Sequence, residues 1–367
     1  MPAQNNKMNI VKSTKLYEAW LHEQTTVVAS DLRDKHRAMA EAPFPFLRAT
    51  FYRWLQLWDA HCPYLAGAPK VLGVGDLHVE NFGTWRDVEG RLIWGINDFD
   101  EACELAYTND LVRLATSAHL AIAAEHITIN GDDACAAILK GYKQGLKEGG
   151  KPFVLAEKNS WLRDIATNEL RDPVAFWEKM EALPKVRGKV PASALDSLKK
   201  TMPEIGLDYA IRRRVAGLGS LGHQRFVASG DWHGGLLARE AKALVPSAAA
   251  WIKPGKHPAE IFYDALISRA VRCPDPFVQL RGEWIVRRLS PFCSRIELAD
   301  LPRDRDETRL LEAMGYETAN IHWGTKKAAP EIIRHLKKQS KDWLHEAAGT
   351  MAKAIVADWK KWKKKGA

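Results

Sequence analysis

Apolar positions along the chain recur with two periods, and the switch between them divides the sequence into elements. Residues 14–40 carry apolar side chains at helical spacing, and "APFPFLRATFYRWLQLWDA" opens on prolines before continuing as an amphipathic helix. "PKVLGVGD" is a short apolar run ending in a glycine turn, which predicts a buried strand. "NFGTWRDVEGRLIWGIND" predicts two strands joined by a turn at Asp87–Gly90. Helical spacing returns in "NDLVRLATSAHLAIAAEHI", with Asn109 or Asp110 placed to cap the helix, and continues through "DDACAAILKGYKQGLKEGG".

Residues 150–205 are polar, rich in Lys and Glu and broken by prolines, which predicts loosely packed helices and a connection. The character then changes. "RRRVAGLGSLGHQRFVASG" and "GGLLAREAKALV" predict a glycine-rich hairpin. "PAEIFYDALISRAVR" predicts a helix, "PFVQLRGEWIVRRLS" two short strands, and the chain from Arg303 onward is helical again. No internal repeat or low-complexity linker interrupts this order. The expectation is an α+β chain in three parts, residues 1–204, 205–300 and 301–367.

Composition narrows the class. The 367 residues are 46% apolar, enough to build a core and too many for global disorder. No run approaches the roughly 20 apolar residues of a membrane span, and "MPAQNNKMNIVKSTKLYEAW" lacks the apolar stretch of a secretory signal. The five cysteines, Cys62, Cys103, Cys135, Cys273 and Cys293, form no CxxC pair. That spacing argues against a disulfide framework or a thiolate zinc site and predicts a reducing, cytoplasmic setting. The net charge is +9, part of it in the terminal "DWKKWKKKGA". Such a tail suits nucleic acid, acidic lipid or an acidic protein, or equally a solvated helix end. The 14 tryptophans, several beside basic residues, read mostly as helix-packing groups.

"GVGDLHVENFGTW" and "GINDFDEA" concentrate the candidate chemistry. A loop after a buried strand aims polar side chains into a cleft. A hairpin returns its far end close to its start, so Asp98 is expected beside Asn81. An Asn and an Asp near a base make a hard oxygen site suited to Mg²⁺ and phosphate. Phosphoryl transfer needs this set: Asp76 to accept the acceptor's proton, and Asn81 and Asp98 to hold metal, with Asp100 as a second metal or structural carboxylate.

"GLGSLG", from Gly217 to Gly222, is a G-x-G-x-x-G followed by a strand-like run, so Gly217, Gly219, Ser220 and Gly222 suit a phosphate-covering hairpin better than a dinucleotide fingerprint. It lies downstream of the acidic motifs, the reverse of the order in kinases. A circular permutation reconciles the two orders, with new termini inside the larger lobe.

"GDLHVEN" resembles the catalytic loop of aminoglycoside phosphotransferases and choline-kinase-like enzymes, and "INDFD" their metal strand. Together with "APFPFLR", "NDFDEA", "DLVRLATS", "VAGLGSLG" and "REAKALVPS", the chain resembles the bacterial family called domain of unknown function 2252, grouped with the protein-kinase-like superfamily. The resemblance implies a two-lobed, circularly permuted kinase-like fold, with a mostly helical large lobe and a small antiparallel-sheet lobe. It also implies ATP and Mg²⁺ as cofactors and a hydroxyl-bearing acceptor. It places Arg239 where the family carries a phosphate-binding Lys, with Lys242 as the fallback and Glu260 as a candidate helix partner. Arg holds phosphate with a different geometry from Lys, which bears on activity more than on binding.

Other classes stay open. A nucleotide-binding pseudokinase or scaffold is the alternative from the binding class. A nucleic-acid-binding protein would use the basic tail, although no recognisable module supports it. A metal-dependent hydrolase would use Asp76, His78 and Asp98 and have no need of GLGSLG. Arg48 is placed either to reach the acidic loop from the preceding helix or to make a surface salt bridge.

Overall fold

The computed structural model describes residues 8–365 apart from 157, 168–171, 256–258, 292 and 294–305. Four helices open it: α1 (Ile10–Gln24), α2 (Ala29–Glu41), α3 (Pro43–Ala49) and α4 (Phe51–His61). Asn9 caps α1 through its side chain, and Pro43 starts α3 where no intrahelical N–H is needed. Strand β1 (Lys70–Gly73) leads into the acidic loop. β2 (Phe82–Arg86) and β3 (Leu92–Ile96) then pair antiparallel, Phe82 opposite Ile96, across the predicted turn. Asp87 holds that turn by accepting from the Glu89 and Arg91 N–H groups, and Gly90 takes a φ of 74° there.

β4 (Cys103–Ala106) returns to pair with β1, and α5 (Tyr107–Ala123) and α6 (Gly131–Glu148) follow. Asn130 caps α6, whereas α5 has no side-chain cap. The expected capping role of Asn109 or Asp110 is therefore corrected. Both face inward, and Asn109 accepts from the Trp54 indole N–H at 2.9 Å. Short elements come next: β5 (Phe153–Val154), which adds to β3, then α7 (Ser160–Thr167), α8 (Pro173–Glu181) and α9 (Ala192–Lys199).

The second half is organised by one antiparallel sheet of five strands. These are β6 (Ala210–Arg213), β7 (Arg225–Trp232), β8 (Gly235–Ala243), β9 (Gln279–Arg281) and β10 (Trp284–Leu289), in spatial order β6-β7-β8-β10-β9. Between β8 and β9 lie α10 (Ala248–Ile252) and α11 (Tyr263–Arg269). The last helices are α12 (Glu307–His322), α13 (Ala329–Leu336) and α14 (Trp343–Lys365).

Side chains alternate faces along each strand, and the two faces of this sheet differ. Phe226, Ala228, Ala241, Ala243, Trp284 and Val286 pack with Ala194 and Leu198 of α9 in a small core. Helix α9 thus covers the sheet although it precedes residue 205. The opposite face presents Arg225, Glu240, Lys242 and Arg287 toward the helical body, whose own core runs from α1 to α14. The chain is α+β. No helix among the described residues is long and apolar enough to cross a membrane.

The terminal tryptophans pack: Trp359 donates to the Ala40 carbonyl and Trp362 to that of His36, both at 3.2 Å. Lys361, Lys363, Lys364 and Lys365 stay exposed on the same helix, as an amphipathic surface helix requires.

Candidate functional site

The acidic loop is fixed from beneath by Asp110. Its fully buried carboxylate accepts the N–H groups of Val74 at 2.8 Å and Gly75 at 2.9 Å, and meets His322 Nε2 at 3.0 Å. Gly75 is required: its φ is 79°, and a Cβ would stand 2.3 Å from the Glu101 carbonyl oxygen. The next residue, Asp76, meets Arg113 of α5, whose Nε donates to Oδ1 at 3.0 Å. Arg113 is fully buried, lies over the rings of Phe51 and Trp54, and donates to the Leu47 carbonyl at 2.9 Å. Burial raises the Asp76 carboxyl above its ordinary range, and the Arg113 charge opposes that rise.

Asn81 closes the loop by donating its amide to the Asp76 carbonyl at 2.8 Å. The Asn97 N–H donates to the Asn81 carbonyl at 3.1 Å, so the hairpin brings its far end back to the loop. Asp98 is thereby beside Asn81, as the hairpin predicts. Arg48 pairs with Glu80 in the same loop, and His78 Nδ1 accepts the Glu80 N–H at 3.2 Å.

Lys242 joins the sheet to this cluster. Its ammonium donates to both oxygens of Asp100, at 2.5 and 2.6 Å, and lies 3.6 Å from Asp98. Burial works against ionisation of both carboxyls, and the single ammonium favours it. Asp98, 40% exposed, ends below the ordinary carboxylate range, while Asp100, deeper and beside the Asp98 charge, is pushed up to about 6. Glu101 turns the other way and accepts from Ser247 Oγ and the Ala248 N–H, both at 2.8 Å. Burial pushes it up to about 8.

Two expectations are corrected here. Arg239 faces away from the acidic cluster: it lies over Phe277 at 4.6 Å and donates to the carbonyls of Thr201 and Ala238. Positions 239 and 242 differ by an odd number, so a strand sends them to opposite faces, and the packing of Ala241 and Ala243 on α9 decides which face is which. Glu260 is exposed and precedes α11, which begins at Tyr263. The described partners of Lys242 are Asp100 and, at 3.6 Å, Asp98.

The glycine segment is the β6–β7 connection, with Arg213 opposite Phe226. Gly217 and Gly222 take φ values of 75° and 104°. The loop folds onto the helical body through Lys35, whose ammonium donates to the Gly219 carbonyl at 2.8 Å, and through the Val28 N–H on the Gly222 carbonyl, also at 2.8 Å. Ser220 Oγ accepts from Arg225 at 2.8 Å. A Cβ on Gly219 would sit 3.3 Å from Asp76 Oδ2, so the loop lies directly over the acid.

Asp76, Asn81, Asp98 and Asp100 from one half of the chain and Gly217, Gly219 and Ser220 from the other line a single cavity of about 50 Å³. Asn81, Asp98 and Gly217 also border a larger cleft of about 680 Å³, walled by Trp85, Phe99 and Tyr263 and by Arg214, Arg225 and Arg287. Those three arginines converge on one buried carboxylate, Glu240, at 2.5, 3.0 and 2.9 Å. Its burial opposes charge, but three guanidinium groups, Arg225 foremost, hold it well below the usual range. Arg272 and Arg288 also line the cleft, as do Glu80, Asp98, Asp264 and Asp275, so its walls carry charge of both signs.

Arg113, Lys35 and Glu240 are structural members of the site that residue patterns did not single out, and Asp110 is one that they read only as a helix cap. "NDLVRLATS" and "REAKALVPS" carry three of them, but a charge on an apolar helix face or strand reads equally as a surface position until its partner is known.

No curated protein and no solved structure matches this chain. Residues 28–201, which include Asp76, Asn81, Asp98 and Asp100 but stop before the five-stranded sheet, match the family model described as "Uncharacterized protein conserved in bacteria (DUF2252)".

Proposed function

We propose that the chain is an ATP- and Mg²⁺-dependent phosphotransferase with a circularly permuted, protein-kinase-like arrangement, acting on a hydroxyl of a small molecule or a protein. The observation that carries this reading is the convergence of the acidic set and the glycine loop on one cavity, which shares Asn81, Asp98 and Gly217 with the larger cleft. A five-stranded antiparallel sheet bearing a glycine loop at one hairpin, set over a helical body bearing an Asp–Asn loop, is the pairing such chemistry needs.

The roles follow from the contacts. The cleft of about 680 Å³ is of the size that takes a nucleotide. Its aromatic walls suit a base, and Arg214, Arg225 and Arg287 suit phosphates. Asp98 and Asp100, with Asn81, form a hard oxygen set fit for Mg²⁺: Lys242 already offsets one carboxylate charge, and Asp98 keeps 40% of its side chain open. Mg²⁺, when bound, neutralises phosphate charge. Asp76 takes the acceptor's proton, with Arg113 fixing its carboxylate. Because Gly219 lies against Asp76 and only about 50 Å³ remains between them, the loop must lift for an acceptor to enter.

Nucleotide binding without transfer is the second reading. The engagement of Asp76 by Arg113 favours it, because the Oδ1 that Arg113 holds is not free to take a proton from an acceptor. Binding and turnover measured side by side separate the two. Asp76→Asn is expected to keep ATP affinity within a few fold while turnover falls about 10²–10⁴-fold, the usual share of a general base. ATP binding with no turnover on any hydroxyl acceptor or water in the native chain would select the second reading.

A further inference from the structure

A cluster unrelated to the cleft joins three helices. His119 of α5, Cys135 of α6 and His345 of α14 offer ligand atoms that all lie within 4.8 Å of one another. His119 Nε2 is 3.3 Å from Cys135 Sγ, and the two imidazole rings are 5.1 Å apart. Cys135 is buried and the two histidines are half-buried. His345 Nδ1 is buried and makes no hydrogen bond to any described residue, an uncommon state for a polar ring atom. Gly131 lets His119 approach: a Cβ there would stand 2.9 Å from its Nε2.

We propose that His119, Cys135 and His345 form a binding site for Zn²⁺, with a water molecule or an exogenous ligand as the fourth donor. Two imidazoles and one thiolate are a borderline-soft set that suits zinc and does not suit Mg²⁺ or Ca²⁺. Tetrahedral zinc with Zn–N of about 2.0–2.1 Å and Zn–S of about 2.3 Å separates its donors by about 3.3–3.6 Å. The 3.3 Å pair already meets this, and the widest pair, at most 4.8 Å, needs a closure of up to about 1.2–1.5 Å, within the reach of imidazole tilts. Binding exchanges the thiol proton for the metal: the Cys135 S–H bond breaks, the proton passes to solvent, and the sulfur pair goes to zinc.

Three separate helices supply the ligands, so metal binding staples α14 to the helix pair beneath it. Cysteine spacing gives no hint of this, because no two ligands are neighbours in the chain. The inference does not depend on the phosphotransferase reading.

The test uses the full chain, purified reduced and metal-free, with Zn²⁺ and Co²⁺ as probes. One Zn²⁺ per chain is expected in competition with a chromophoric chelator, together with a raised melting temperature. Co²⁺ is expected to give a thiolate-to-metal charge-transfer band that Cys135→Ser removes. His345→Ala should weaken Zn²⁺ at least tenfold, and His233→Ala, at an exposed turn, should leave it unchanged. Absence of Zn²⁺ binding or of the cobalt–thiolate band in the native chain would overturn the proposal, as would binding that survives Cys135→Ser. The native-chain measurements decide the matter even where a variant fails to fold.

Discussion

Replacing Lys242 by Met tests the electrostatics of the site most directly. The ammonium is almost wholly buried and is the cation held between Asp98 and Asp100. Methionine keeps much of the stem volume and removes the charge. Breaking a buried pair from one side costs about 3–5 kcal/mol, because the other charge stays desolvated. Asp98 is 40% exposed and rehydrates, so its share falls to that of a surface pair, about 0–1 kcal/mol. Asp100 carries the rest, and the expected loss at pH 8 is about 3 kcal/mol, the low end of the range.

The pH dependence has a definite sign. Asp100 holds its proton more tightly in the folded chain, with its pKa pushed up to about 6, than in the unfolded chain, where it is near 3.8. That group's contribution to stability falls as pH rises from about 4 to about 6 and is level above it. Without Lys242 the folded pKa of Asp100 rises further, so the variant goes on losing stability above pH 6. The gap between native chain and variant therefore widens from pH 5 to pH 8. Urea midpoints at the two pH values, compared at unchanged m-value, measure it, and adding Asp100→Asn to the variant should recover most of the loss. A gap below about 1 kcal/mol at pH 8, or one that does not change between the two pH values, would refute the assignment of Lys242 as the charge that holds this pair.

Further outcomes follow from the same contacts. Arg239→Ala should leave ATP affinity within about twofold while Lys242→Met lowers it at least tenfold, since only Lys242 lies on the cleft face. Isothermal titration with ATP and Mg²⁺ reads both, and the reverse order would mean that the sheet faces are misassigned. Asp110→Ala should destabilise by about 3–5 kcal/mol, because two backbone N–H groups and the His322 ring lose a buried charged acceptor. The thermal midpoint should fall accordingly, and a change of less than about 1 kcal/mol would show that Val74 and Gly75 do not depend on it.

Local patterns were enough to locate the elements that carry the candidate site. The period-two runs on either side of Asp87–Gly90 specify a hairpin, and a hairpin by its own geometry brings Asp98 back to Asn81. The glycines of "GLGSLG" between two strand-forming runs specify a tight connection, because only residues tolerant of positive φ fit at Gly217 and Gly222. Three matters were decided by tertiary packing. Alternation along β8 says that Arg239 and Lys242 point to opposite faces, but only the seating of α9 on Ala241 and Ala243 settles which one meets Asp100. A buried acid at position 110 reads as a helix cap until the chain just past β1, at Val74 and Gly75, is seen against it, since capping depends on neighbours and buried anchoring on distant ones. His119, Cys135 and His345 share no spacing at all. Their meeting depends on three helices packing at one place, and a spacing rule records only contacts made within one turn or one loop.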